Sequence, residues 1–313
     1  MSLEDFWRNH FEPDVLNTLK PNTQKHYTAM YRKHVQQVLG KFGLNELSRV
    51  QVQQLVSLKQ QQGYSTQTLA HVRTLLSKIF SVAMSWGWVS ENPARGVKLP
   101  PMERRRTPKV LTIEEIHKLT EALVEPARTL VQLGLRTGLR IGELIGLRVE
   151  DIDLARSLVH VRRSVSRGTE TTPKTQASER AIPLAEPTVQ LLRDYVSKRR
   201  VESVWLFPTS IGTFQNDRTL FLRKVQPVCR KLGIEGFTWH AMRHTFSTYN
   251  GNSGVPMPVL QSLLGHTTAR TTMVYTHPLE SAQREAMDRL TRILFPIVPK
   301  SVEDENGRKS LIQ

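Results

Sequence analysis

Between Leu99 and Lys109 the sequence reads LPPMERRRTPK, three prolines and four basic residues with no apolar period. Proline removes a backbone donor and biases the residue before it away from helix, so neither a helix nor a central strand can run through this stretch. It reads as an extended linker, assigned to residues 99–110. A chain of 313 residues is thereby divided into two segments, each long enough to bury a core of its own. The expected division is 1–98, then the linker, then 111–295, with a polar tail from 296 to 313.

The first segment is helical by pattern throughout. From Asn22 and Thr23, Tyr27, Met30, Tyr31, Val35 and Val38 recur at three- and four-residue steps, which is one face of a helix, and Gly40 stops it. Ser48 and Gln51 stand at capping-box spacing before Val52, Leu55 and Val56, with Gly63 as the stop. Ser65 opens a third helix carrying Leu69, Val72, Leu76, Ile79, Phe80 and Ala83, which ends near Gly87. A small α-helical bundle is expected.

The second segment is mixed. Thr112 and Glu115 form another capping box before a helix through Leu119 and Leu123, and a second helix after Pro126 carries Leu130 and Leu133. Residues 158–163 and 180–184 read as strands joined by the polar stretch from Arg167 to Glu179, a long hairpin. Residues 204–207 read as a further short strand. Helical patterns return over 187–201 and 217–232, and in short pieces to Leu294. The expected fold class is mainly α with a small β-sheet or hairpin.

Charge narrows the partner. Lys plus Arg number 44 against 28 Asp plus Glu, a net +16, with a pI near 10.3. Such an excess concentrates polyanions at the surface, and nucleic acid is the usual one. An anionic membrane would favour a basic amphipathic helix or a lipidation signal, and neither is present. A basic protein kept soluble by its charge is the plain alternative. The single cysteine, Cys229, cannot form an intramolecular disulfide, and no run of some eighteen apolar residues occurs, so a cytoplasmic protein is expected.

Four local patterns carry chemistry. In Thr137-Gly138-Leu139-Arg140-Ile141-Gly142-Glu143-Leu144, Gly138 interrupts a helix and lets Arg140 project from a turn while Leu139, Ile141 and Leu144 pack inward. In Trp239-His240-Ala241-Met242-Arg243-His244, the residues His240, Arg243 and His244 share one face of a helix. An Arg and a His so placed can grip one phosphate. The i, i+4 histidines also fit a zinc pair, but Ala241 stands where a zinc protease has Glu, so no metal is assigned. His244 reads equally as a packing residue. In Leu263-Leu264-Gly265-His266, Gly265 ends a short helix and His266 follows. Tyr275 comes nine residues later in Thr271-Thr272-Met273-Val274-Tyr275-Thr276-His277. Each pattern alone is weak: a lone Arg after a helix stop is usually a surface residue, and a lone Tyr usually a half-buried one.

In this order and spacing the patterns resemble the tyrosine recombinases, the phage integrase family. Arg140, Lys174, His240, Arg243, His266 and Tyr275 fall on the family's catalytic pattern. Lys174 sits in Pro173-Lys174-Thr175, and Ser178-Glu179-Arg180-Ala181-Ile182-Pro183-Leu184 follows it, similar to the family's K-T … S-x-R-x-I-P-L run. The likeness covers roughly residues 21 to 295 and includes the Asn92-Pro93 exit from the helical segment. It implies a SAM-like core-binding domain followed by an α+β catalytic domain. It also implies a site-specific recombinase that cuts and rejoins double-stranded DNA through a 3′-phosphotyrosyl link on Tyr275, without ATP, metal or cofactor. Arg140 and Arg243 would hold the phosphate with His266 and His240, and Lys174 would protonate the leaving 5′-oxygen. Glu143 and His244 would support them, and Arg104, Arg105 and Arg106 of the linker would touch phosphates. Partners implied are DNA, a tetramer of this chain on DNA through residues 296–313, and accessory DNA-bending proteins. The likeness leaves open the mobile element served and whether an arm-binding domain precedes residue 1. Two rivals share the features: a type IB topoisomerase, separable by plasmid relaxation against two-site strand exchange, and a non-catalytic DNA-binding protein, separable by trapping a covalent adduct.

Overall fold

The computed structural model describes residues 1–102, 108–166, 168–171 and 179–265, with the backbone of 302–303 and 309–310. The chain forms two compact units, Met1–Arg106 and Thr107–Gln313, and the division falls inside the proline-basic stretch.

The first unit is a bundle of four helices: α1 (residues 3–14), α2 (residues 21–39), α3 (Arg49–Gln61) and α4 (Thr66–Ser85). The caps expected from sequence are made. The Ser48 hydroxyl accepts from the amide of Val50, while the Gln51 side chain accepts from the Ser48 amide at 3.0 Å. Ser65 accepts from the amide of Thr68. These bonds satisfy amides that a helix start leaves without partners. Helix α1 is one the sequence reading did not single out; it starts at Ser2, whose hydroxyl and Asp5 make a reciprocal cap. Trp7 and Tyr31 stack at 4.0 Å between centroids with 4° between planes, and each opens a single π-helical turn. Phe6, Phe11, Leu55, Leu69, Val72, Leu76, Ile79, Phe80 and Ala83 complete an apolar core.

Beyond α4 the chain stays on the bundle. Buried Asn92 donates to the Ser77 carbonyl and the Ser81 hydroxyl, and Gln53 exchanges two bonds with the backbone of Lys98. The Thr66 hydroxyl donates to the Pro101 carbonyl. The first residues of the expected linker, 99–101, therefore run along the bundle, because side chains of α3 and α4 hold the backbone on either side of them. Arg104, Arg105 and Arg106 lie outside the described residues.

The second unit begins where Leu111 is held at both ends: its amide donates to the Thr245 hydroxyl and its carbonyl accepts from Tyr249. Helices α5 (Ile113–Ala122), α6 (Ala127–Thr137) and α7 (Ile141–Ile145) follow, with Thr112 and Glu115 capping α5 as expected. Three strands, β1 (Ile152–Asp153), β2 (Leu158–Val161) and β5 (Arg180–Pro183), form an antiparallel sheet in the order β1-β2-β5, with Val159 opposite Ile182. Between β2 and β5 lies a second hairpin, β3 (Ser164–Ser166) and β4 (Thr169–Thr171). Residues 204–207 do not form the expected strand. They make one bridge, Arg148 with Trp205, because Pro208 has no N–H to extend the ladder and residues 141–145 are helical.

Helices α8 (Glu186–Lys198), α9 (residues 217–231), α10 (Trp239–Asn252) and α11 (Met257–Leu264) pack around this sheet on a core that includes Leu130, Leu133, Leu144, Val159, Ile182, Leu192, Phe207 and Met242. Within the polar tail, the described residues form an antiparallel pair of two-residue strands, β6 (Val302–Glu303) and β7 (Lys309–Ser310). Among the described residues no helix is long and apolar enough to cross a membrane.

Candidate active site

Three helix ends meet at the site. Helix α6 stops at Gly138, whose φ of +66° is the left-handed conformation that glycine adopts without strain. A Cβ there would stand 2.5 Å from the Phe246 ring, so side-chain crowding demands glycine as well. The turn delivers Arg140 to the N-cap of α7 with its side chain 42% exposed, while Leu139 and Leu144 are buried. The sequence expectation for this segment holds.

Glu143 fixes that turn. Its carboxylate accepts from the Arg140 amide at 2.9 Å and from Arg140 Nη1 at 3.0 Å. It also accepts from Arg180 Nη2 at 2.9 Å and Nη1 at 3.3 Å, a paired contact between two side chains less than a tenth exposed. Burial alone would raise the Glu143 pKa, but the Arg180 hydrogen bond and charge, followed by Arg140, hold it below the usual carboxylate range. Glu143 is thus an ionised brace for Arg140. The sequence gives Arg180 no role beyond its place in the S-x-R-x-I-P-L run. Its partner lies 37 residues away, and no local pattern marks that distance.

Helix α10 brings Arg243 to the centre. Its side chain is essentially buried, donating from Nη1 to the Gly138 carbonyl at 2.8 Å and from Nη2 to the Leu264 carbonyl. One guanidinium thus ties the turn before Arg140 to the end of α11. Gly265 closes α11 with φ +60°, and a Cβ on it would meet Arg180 Nη1 at 2.9 Å.

His240 and His244 stand edge-to-face with centroids 5.0 Å apart. His240 reaches solvent, yet burial of its ring, followed by the charges of Arg243 and Arg140, lowers its pKa. His244 is buried, and burial, then His240 and Arg243, push its pKa down to about 4. Both are neutral imidazoles at neutral pH, so His240 is able to accept a proton. The His244 ring packs edge-on against that of His240. Among the described residues, no group of three or more His, Cys, Asp or Glu side chains is arranged to hold a metal ion.

Arg140, Glu143, His240, Arg243 and His244 are therefore brought to one site. Lys174, His266 and Tyr275 lie outside the described residues.

Residues 109–282 match the model of the phage integrase family, and residues 2–59 match its N-terminal SAM-like domain. A tyrosine recombinase XerC of Thermodesulfovibrio yellowstonii is 30% identical over 231 residues, covering 69% of this chain and 72% of the relative. A XerC-like tyrosine recombinase of Caldanaerobacter subterraneus is 28% identical over 310 residues, covering 88% and 79%. The Tn1549 transposon integrase, solved in complex with a circular intermediate DNA, shares the fold with a TM-score of 0.78 at 22% identity, over 93% of this chain and 99% of that one. A lambda integrase tetramer bound to a Holliday junction aligns with a TM-score of 0.65 at 16% identity, over 86% and 78%. The chain belongs to the phage integrase family: it is a tyrosine recombinase, a DNA strand-breaking and rejoining enzyme.

Proposed function

We propose that Tyr275 is the nucleophile of a site-specific recombination that passes through a 3′-phosphotyrosyl intermediate. The observation that carries the reading is the junction of α6, α7, α10 and α11, where Arg140 is braced by Glu143 beside buried Arg243 and neutral His240. The tyrosine oxygen attacks the scissile phosphorus and forms an O–P bond, and the bond to the 5′-oxygen breaks. His240 accepts the phenolic proton, whose ordinary pKa of ~10 requires a base or nearby positive charge. Lys174 gives a proton to the departing 5′-oxygen. Charge gathers on the non-bridging oxygens, and two guanidinium groups with a hydrogen bond from His266 meet it, so the step needs no metal. A 5′-hydroxyl of another strand then reverses the reaction, with the bond energy kept in the phosphotyrosine.

Other tyrosines of the same unit support Tyr275 by their commitments. Tyr195 is half-buried, and burial and Glu125 raise its pKa; the Tyr249 hydroxyl donates to the Leu111 carbonyl. The positive chain takes DNA as substrate, with Arg104, Arg105 and Arg106 on its phosphates. Lambda integrase forms a tetramer on a Holliday junction, and the same assembly is proposed for this chain in the cytoplasm, serving a mobile element.

The test uses a duplex selected from random sequence by binding to the protein, nicked so that the short fragment bearing the freed 5′-hydroxyl is lost after cleavage. In excess EDTA the unsubstituted protein should become covalently attached to DNA. Tyr275→Phe should bind with little change and form no adduct. An adduct with the Phe variant, one mapped to Tyr195 or Tyr249, or cleavage that requires added metal, would overturn the assignment.

A further inference from the structure

Arg180 occupies the start of β5, six residues after Lys174, and makes contacts that the catalytic scheme does not use. Its side chain is 8% exposed. Two guanidinium edges are in use. Nη1 and Nη2 face both oxygens of Glu143, at 3.3 and 2.9 Å, and Nε donates to the Leu263 carbonyl at 2.9 Å. Glu143 in turn holds the Arg140 amide and guanidinium. Leu263 lies in the last turn of α11, two residues before Gly265 and three before His266. Gly265 lies against the Arg180 guanidinium so closely that a Cβ would collide with it.

The arrangement joins three separate parts of the chain: the strand downstream of the Lys174 stretch, the turn that presents Arg140, and the helix end that precedes His266. A planar fork suits the task. It can meet a carboxylate with two parallel donors and still direct Nε elsewhere, which a lysine ammonium, a single point of charge on a flexible stem, cannot do. A buried pair of this kind is weak evidence for stability as such, since its desolvation offsets much of its attraction. Its value lies in fixing geometry. We infer that Arg180 is a positioning residue, setting Arg140 through Glu143 and the end of α11 through the Leu263 carbonyl. The inference rests on the phosphate-clamp reading of Arg140 given above.

Two substrates separate positioning from plain support. One is the nicked duplex described above. The other is the same duplex with a methyl group replacing one non-bridging oxygen of the scissile phosphate, which removes the charge that Arg140 would neutralise. Arg180→Lys should bind both duplexes within about twofold of the unsubstituted protein. On ordinary DNA its covalent adduct should form about ten- to a hundredfold more slowly, the scale of loss for a misplaced catalytic group. On the methyl-substituted strand the gap between the two proteins should shrink to about threefold or less, because accurate placement of Arg140 no longer matters there. Arg140→Ala should show the same narrowing. If Arg180→Lys melts below the assay temperature, Glu143→Gln with Arg180→Met, which removes both charges of the buried Arg180–Glu143 pair, carries the same two expected readings.

An unchanged rate on ordinary DNA, or an equal deficit on both strands, would overturn the positioning role and leave the clamp standing. Failure of the unsubstituted protein to form any adduct would overturn the proposed phosphotyrosyl mechanism itself.

Discussion

The two units solve the problem of an interior differently. The first is filled with hydrocarbon and rings; its buried polar residues are His34, Lys59 and Asn92 among the described positions. The second buries Glu143, Asp151, Arg243 and His244, together with Thr129, Thr137, Thr188, Thr245 and Ser247. Arg243 heads the fully buried side chains by size among the described residues. Asp151, with no exposed surface, accepts from the Arg148 amide and pairs with Arg162 and Arg163. Charge is expensive to remove from water unless it is paired and hydrogen-bonded. A unit that keeps so much of it inside is arranged for something other than maximal stability, and departures from an apolar core are expected where function resides. The comparison leaves the first interior to hold the shape of its bundle and assigns chemistry to the second.

That assignment can be broken at its strongest point by Phe80→Ala in α4. Phe80 has no exposed surface, and truncating a buried phenylalanine costs ~3–5 kcal/mol. A lower melting temperature is expected, while adduct formation by folded, DNA-saturated protein stays within about twofold. A slowed chemical step in the saturated complex would mean that the first interior also governs catalysis.

Arg243→Lys probes the other side. The ammonium cannot hold the Gly138 and Leu264 carbonyls and a phosphate together, so single-turnover cleavage should fall ~10²–10³-fold, about 3–4 kcal/mol. Cleavage within tenfold of normal would reduce the buried guanidinium to a structural tie.

The smallest effect is with pH. His244 is held at about 4 against its ordinary 6.5. The unfolded chain therefore takes up the proton first as pH falls. The stability due to neutral His244 is complete above ~6.5 and is lost progressively down to ~4, on the order of 2 kcal/mol. Denaturant titrations at several pH values should show that slope, and His244→Gln should flatten it. His34 of the first unit is also lowered, by burial and then by Lys59 and Lys33. His34→Gln is accordingly the control. If the slope vanishes with His34→Gln alone, the pH sensitivity belongs to the first unit.

What the sequence displayed was mostly local. The caps at Ser48, Ser65 and Thr112 were legible because their partners lie two or three residues away, and the stops at Gly63, Gly87 and Gly138 because positive φ selects glycine. Arg140, His240 and Arg243 were legible as short motifs, and the structure brings them together. Lys174, His266 and Tyr275 fall outside the described residues and remain assignments by resemblance. Contacts over long separations were not legible. The Arg243 bond to Gly138 spans 105 residues, and Arg180 meets Leu263 across 83. The single-bridge pairing of Trp205 depended on a helix and a proline flanking it rather than on its own pattern.

The bonds from Arg243 end on carbonyl oxygens, and this bears on which positions can vary. A carbonyl belongs to every amino acid, so the acceptors at 138 and 264 do not depend on the side chains attached there. Position 138 is restricted by its φ and by Phe246, whereas 264 needs only an apolar group that fits. The donor has no such latitude, because no other side chain carries a rigid planar fork of parallel N–H donors at the end of a long stem. In a library covering every substitution, position 243 should tolerate nothing while 264 accepts several aliphatic residues, although both ends of the bond are equally buried.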